Sequence, residues 1–312
     1  MDIEEAFAGL ISGAEKFARS AMDAHANEDE EVFLLHAGVS IERLAKAVLA
    51  KKSPLLLMEL RGNESTLFQF AGLEDADKIK TIGATEAIKR LKRLGILPEA
   101  KDANLDALIE LRNGVAHLGA AHDGSFDILA VFAKTTNTLL DAWGDYGELR
   151  YWSPHHYYLI KLTLSEALEK AARDFGSLVE QARYRLAQRI NDLPVPAQSA
   201  YIDSTSLKSA FVGPDLRSVH LPHECPACGY SGALVTGPPS LLVRGKPAEA
   251  GPVRFHCHVC GLRLSTPEVL AAADLDKRVP LVNPDGTRVL AEAEEVLWHE
   301  RPVADEEEHL LF

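Results

Sequence analysis

The sequence predicts a mainly α protein, a helical bundle followed by additional helices and a small β-rich domain. Three observations carry that reading. Apolar residues recur at helical spacing through most of the first 190 residues. From Asp192 a stretch rich in Pro, Ser and Gly interrupts the periodicity (Pro194, Pro196, Ser199, Ser204, Ser206, Gly213, Pro214). Beyond it come short β-type runs and two Cys-x-x-Cys pairs.

Composition sets the bounds. A chain of 312 residues accommodates about two domains. An apolar share of 46% is enough to build a core. The net charge of −13 argues against a broad basic face that coats nucleic acid, though it permits a local groove. All four cysteines fall in the two pairs, so none remains for a disulfide framework, which points to metal binding in a reducing compartment. The first five residues are acidic rather than signal-like, and no run of about eighteen apolar residues occurs. The expectation is a soluble, cytoplasmic protein that does not enter a membrane.

Taken in order, Ile3, Phe7, Leu10, Ala14, Phe17 and Ala21 share one helical face. Asn27 is the expected cap of a second helix carrying Val32, Leu35, Ile41, Leu44 and Val48, with Glu42 and Lys46 paired at i,i+4. That helix runs to about Lys52, and Pro54 ends it. A third helix is predicted over 78–94, stopped by Gly95 and Pro98. Its outer face carries Lys89, Arg90, Lys92 and Arg93, the densest basic cluster in the chain, which suits either an RNA track or a solvated face. Residues 104–118 form the next helix, with Asn104 as cap and Leu108, Leu111, Val115 and Leu118 as its apolar stripe. Helices over 126–143 and 162–190 follow, on either side of an aromatic corner at 149–160 (Tyr151, Trp152, Tyr157, Tyr158).

Past the break, strands are expected at 233–235, 241–243 and 253–255, a short helix from 265, and a hairpin over 279–290 turning at Asn283-Pro284-Asp285-Gly286. The run Asp305-Glu306-Glu307-Glu308 reads as a solvated acidic tail.

Two constellations carry chemistry. Cys225-Pro226-Ala227-Cys228-Gly229 and Cys257-His258-Val259-Cys260-Gly261 make two tight knuckles able to set four thiolates around one structural Zn²⁺ per chain. This looks like a zinc ribbon. His220, His223, His256 and His258 flank the knuckles and could displace a cysteine, but the ligand set read here is Cys225, Cys228, Cys257 and Cys260. Arg254 and Arg263 stand isolated, which argues against a DNA-binding regulator working through the ribbon.

The second constellation is Arg112-Asn113-Gly114-Val115-Ala116-His117. With the upstream helix Ala37-Gly38-Val39-Ser40-Ile41-Glu42-Arg43-Leu44-Ala45-Lys46-Ala47, it resembles the HEPN family over roughly residues 1–145. These are all-α domains in which an Arg-x(4–6)-His motif forms a ribonuclease site. A second match, Arg150 and His155, is broken by Pro154 and reads as chance. The resemblance implies catalytic roles for Arg112, Asn113 and His117 and a supporting role for Glu42, whose pairing with Lys46 explains it almost equally well.

The chemistry follows from the groups themselves. RNA carries a 2′-hydroxyl beside its own phosphate, so cleavage needs a base, a proton donor and a stabiliser of developing charge. His117 is of the residue type that can serve as base or acid near neutral pH, Arg112 can fork two hydrogen bonds onto phosphate oxygens, and Asn113 lies i,i+4 from His117. Five residues advance a helix by about 500°, leaving Arg112 and His117 about 140° apart. The resemblance implies two motifs facing each other in a homodimer, which would make the site composite.

The sequence therefore predicts a metal-independent endoribonuclease that leaves 2′,3′-cyclic phosphate ends. Its domains are a HEPN-like helical domain (1–146), a helical extension (147–191), a linker (192–219) and a zinc ribbon with acidic tail (220–312). The ribbon would recognise nucleic acid or a partner. The resemblance also implies a toxin or defence role and a neutralising protein partner. The alternative is a non-catalytic HEPN dimerisation scaffold whose ribbon binds a protein or nucleic acid.

Overall fold

Side-chain caps set where several of the helices begin in the computed structural model. It describes residues 3–59, 64–71, 73–74, 80–112, 128–144, 147–214, 218–238, 248–283, 287 and 289, with side chains from Gly9 onward and, in the helix at 103–112, as far as Glu110. The chain divides into two compact units, residues 1–177 with 266–274 and residues 178–265 with 275–312.

In the first unit, helix α1 (Ile3–Ala26) packs along α2 (Glu30–Lys52). The cap of α2 is Asp29, whose side chain accepts from the Val32 N–H, rather than Asn27. Asn27 instead closes the end of α1, its amide donating to the Asp23 carbonyl. A 3₁₀ turn (Pro54–Leu57) and α3 (Glu64–Phe70) follow.

Helix α4 (Ala84–Arg93) starts six residues later than its periodicity predicts, because the Ile82 N–H bonds the Leu57 carbonyl and Gly83 takes an extended cap conformation. Helix α5 (Ala103–Arg112) is capped by Asp102, whose carboxylate accepts from the Asn104 and Leu105 N–H groups at 3.0 Å each; Asn104 therefore lies inside the helix. Its buried residues are Leu105, Leu108 and Ile109. The side chain of Leu111, and Val115 and Leu118, lie outside the described residues.

Helix α6 (Ile128–Trp143) completes the packing around α2, which contacts α1, α4, α5 and α6. Helix α7 (Glu148–Ile190) opens on the aromatic corner. Pro154 has no N–H for the Arg150 carbonyl, so the helix breaks at Ser153, at φ 65°. Arg19 fills the gap, donating to the carbonyls of Arg150 (2.7 Å) and Tyr151 (3.2 Å).

Tyr151 and Trp152 are fully buried, whereas Tyr158 points to solvent. Ser40 donates to the Ala14 carbonyl and pairs with the Tyr151 hydroxyl at 2.9 Å. The Trp152 indole donates to Asn137 Oδ1 at 2.8 Å and meets Phe132 edge-on at 5.3 Å. One corner thus ties α1, α2, α6 and α7 together.

Helix α7 gives its first part to the first unit and residues 178–190 to the second. Residues 192–219, expected as a linker, contain helix α8 (Val195–Thr205) and strand β1 (Phe211–Val212). No residue of α8 is buried, so it leaves no apolar stripe in the sequence.

Strands β2 (Val219–Glu224), β3 (Ser231–Thr236), β5 (Pro252–His256) and β6 (Arg263–Leu264) join β1 in an antiparallel sheet of order β1-β2-β3-β5-β6. Strand β4 (Glu249–Ala250) pairs with β7 (Val279–Pro280). One sheet face carries the buried Leu221, Leu234, Phe255 and Leu264. Helix α9 (Pro267–Ala272), capped by Thr266, is the short helix expected there and counts with the first unit. Bonds from Asn283 N to Thr287 O and from Val289 N to Leu281 O agree with the expected hairpin, whose residues 284–286 lie outside the described ones, as do 241–243. Among the described residues no helix is long and apolar enough to cross a membrane.

Trp152→Ala removes a fully buried ring and strands the Asn137 amide oxygen. We expect a loss of about 4 kcal/mol in folding stability, read by chemical denaturation.

Candidate functional site

The knuckles sit at equivalent positions, one between β2 and β3 and one between β5 and β6. In the first, the Cys225 N–H bonds the Tyr230 carbonyl and the Gly229 N–H bonds back to the Cys225 carbonyl, both at 2.9 Å. In the second, Cys257 bonds Leu262 at 2.9 Å and Gly261 bonds Cys257 at 2.8 Å. Both turns require a left-handed residue after the second cysteine, and Gly229 (φ 76°) and Gly261 (φ 77°) supply it.

The four sulfurs all lie within 4.8 Å of one another, with Cys225–Cys260 at 3.6 Å and Cys228–Cys257 at 3.7 Å. A tetrahedron with metal–sulfur bonds of about 2.3 Å has edges of about 3.8 Å, so the group could hold a metal ion. Three of the thiols are buried and Cys228 is half-buried. Their ionisation is shared unevenly. A hydrogen bond from the Cys228 thiol pulls Cys225 down to about 7, and one from Cys225 pulls Cys257 down. The same contacts with Cys225 push Cys228 and Cys260 up. Four thiolates this close repel one another, so full ionisation requires a cation at their centre.

Around the thiols lies a set of donors that the sequence pattern hid within a plain helix. From α7, Arg183 Nε donates to the Ala227 carbonyl at 3.0 Å, Arg185 to Gly261 at 3.1 Å and Arg189 to Val259 at 3.3 Å. From α8, the Tyr201 hydroxyl donates to Val259 at 3.0 Å. These groups fix both knuckles and bring positive charge towards a tetrathiolate. The only sequence signal for them is the clustering of arginines at the end of a long helix.

The flanking histidines are not among the clustered ligands. His256 and His258 face each other, Nε2 to Nε2, at 3.0 Å, and His220 stacks on Phe211. Burial above all, then the charges of His258, His220, Arg254 and Arg263, lowers His256 to about 4.

For the Arg112–His117 segment, α5 is described as far as Arg112; the Arg112 side chain, Asn113 and His117 lie outside the described residues. Glu42 on α2 is buried (5% exposed), with its carboxylate 2.7 Å from the Lys46 ammonium. The basic cluster divides. Arg90 is turned inward, bonded to Glu86 (3.0 Å) and to the carbonyls of Leu56 (2.8 Å) and Met58 (2.9 Å). Lys92 reaches the Ala100 carbonyl at 3.3 Å, whereas Lys89 and Arg93 are exposed. Two of the four residues therefore hold the fold together, and two face solvent.

No family model, no curated protein and no solved structure matches this chain.

The thiol geometry predicts one bound metal equivalent per chain by elemental analysis of the purified protein. Cys228→Ser should lose that equivalent and unfold the 219–264 sheet, seen as lost β signal in circular dichroism. A metal-free but folded sheet would contradict the assignment.

Proposed function

We propose that this protein is a metal-independent endoribonuclease of the HEPN type whose second unit is a zinc ribbon. The observation that carries the reading is the Arg112-Asn113-x3-His117 segment running on from α5, a helix tied into the core through Leu105, Leu108 and Ile109. Helix α5 packs against α2, which carries the buried Glu42–Lys46 pair, so the segment has a fixed base.

The reaction needs no external nucleophile. His117 accepts the proton of the RNA 2′-hydroxyl, and O2′ attacks the adjacent phosphorus as the 5′-oxygen leaves. The product ends are a 2′,3′-cyclic phosphate and a 5′-hydroxyl. Arg112 holds two phosphate oxygens and offsets the charge that builds there, while Asn113 orients the imidazole. In a homodimer the partner subunit's His117 protonates the leaving oxygen, which resolves the roughly 140° divergence along one straight helix. Lys89 and Arg93 offer exposed cations to the substrate. The four-thiolate group is assigned to Zn²⁺ in a closed, structural role, since no coordination position is left for substrate. The biological setting that goes with this reading is a cytoplasmic toxin or defence effector restrained by a neutralising protein.

A second reading, a non-catalytic HEPN scaffold, is favoured by the inward use of Arg90 and Lys92, which leaves a thinner basic track. One assay separates the two. Wild-type protein incubated with mixed RNAs in EDTA should yield fragments with cyclic phosphate ends, and His117→Ala should lower the rate about 10³-fold. Equal or absent cleavage in both would leave the scaffold.

The composite site makes a separate prediction. Sedimentation should give a dimer at micromolar concentration, and a monomer there would remove the acid–base pairing between copies.

A further inference from the structure

Four rings form a row across one face of the five-stranded sheet. Phe211 stacks on His220, centroids 4.4 Å apart and planes at 19°. His220 meets His256 edge-on at 5.9 Å, and His256 meets His258 edge-on at 4.6 Å. Strand register places two cations beside this row. Phe211 lies opposite His220, His220 opposite Val235, Val235 opposite Arg254, and Arg263 opposite His256.

Directly opposed residues in an antiparallel pair share a face. These residues therefore occupy the face away from Leu221, Leu234 and Phe255. Phe211 is 45% exposed, and Arg254, His258 and Arg263 are all exposed. Among the described residues neither arginine is held by a carboxylate. Residues that stand isolated along the sequence thus converge on one aromatic, cationic surface in a chain of net charge −13.

We propose that this sheet face binds single-stranded RNA. Arg254 and Arg263 take backbone phosphates, and bases stack on the exposed rings of Phe211 and His258, with the half-buried His220 and His256 lying between them. The charge selects a polyanion. The rings select one whose bases have free faces, which a duplex does not offer. The choice of RNA over DNA rests on the ribonuclease reading; the surface itself does not.

The test uses full-length protein carrying His117→Ala, so that RNA is bound without being cut, and a short fluorescein-labelled oligouridylate followed by anisotropy across a salt series. Arg254→Ala/Arg263→Ala should weaken binding at least tenfold. It should also flatten the slope of log K against log salt by about 1.4, since each phosphate contact on a single strand contributes about 0.7. Phe211→Ala, which removes no charge, should weaken binding about tenfold and leave the slope unchanged. Both variants should retain the wild-type metal content.

Wild-type affinity and slope in the arginine variant would overturn the proposal. Equal or tighter binding of the matching oligodeoxyuridylate would overturn the choice of RNA. The two readings fail separately. If RNA binds through this face but wild-type protein cuts nothing, the nuclease reading falls and the face stands. If cleavage is present and the variants bind unchanged, the face alone falls.

Discussion

Burial of α2 is the constraint on which the first unit depends. Its buried residues fall on every side of the helix axis rather than along one stripe, as in a helix enclosed by its neighbours. Most of α2 is enclosed, with Leu35 and the helix ends reaching solvent, yet it carries Ser40, Glu42 and Lys46. Each is satisfied within the fold: Ser40 by the Ala14 carbonyl and the Tyr151 hydroxyl, Glu42 by Lys46 at 2.7 Å. An uncompensated charge at this depth would cost about 3 to 5 kcal/mol, so the ion pair is a condition of the packing.

In the second unit the constraint is electrostatic. Four sulfurs within 4.8 Å cannot all be thiolates unless a cation sits among them. The surrounding structure is arranged for that charge, with three guanidinium groups and a phenol hydroxyl directed at the carbonyls of both knuckles. The carbonyls are thereby held, and the knuckle backbone is kept in the left-handed turns that Gly229 and Gly261 allow. The knuckles and the arginine end of α7 hold each other in place, because loss of the arginines leaves the knuckle carbonyls uncompensated.

Local signals were legible and positional detail was not. The cysteine spacing specified the thiol cluster in full, since a short knuckle admits few geometries. Helices with one buried stripe, such as α1 and α4, were also clear. The caps were misread at Asn27 and Asn104 because two candidate side chains stood within two residues, and only backbone direction decides which reaches the free N–H groups. Helix α8 left no apolar stripe because none of its residues is fully buried. The break at Ser153 followed from Pro154, but its repair by Arg19 joins residues more than 130 positions apart, which no local pattern contains. The Arg112–His117 segment was legible only as a sequence motif: from Asn113 onward it lies outside the described residues.

The cations show why a charge count is a poor guide to function here. Of the Lys89–Arg93 cluster, Arg90 and Lys92 are committed to backbone carbonyls, and Arg183, Arg185 and Arg189 are committed to the knuckles. Residues that look available in sequence are structural. Arg254 and Arg263, unremarkable in sequence, are exposed and lie beside a row of rings. Strand pairing explains the reversal, because register gathers residues from separate strands onto one face while a helix hides half of a contiguous run. In an acidic chain, recognition of a polyanion must come from such local convergence, where a few cations act within a Debye length of about 8 Å and the distant carboxylates are screened.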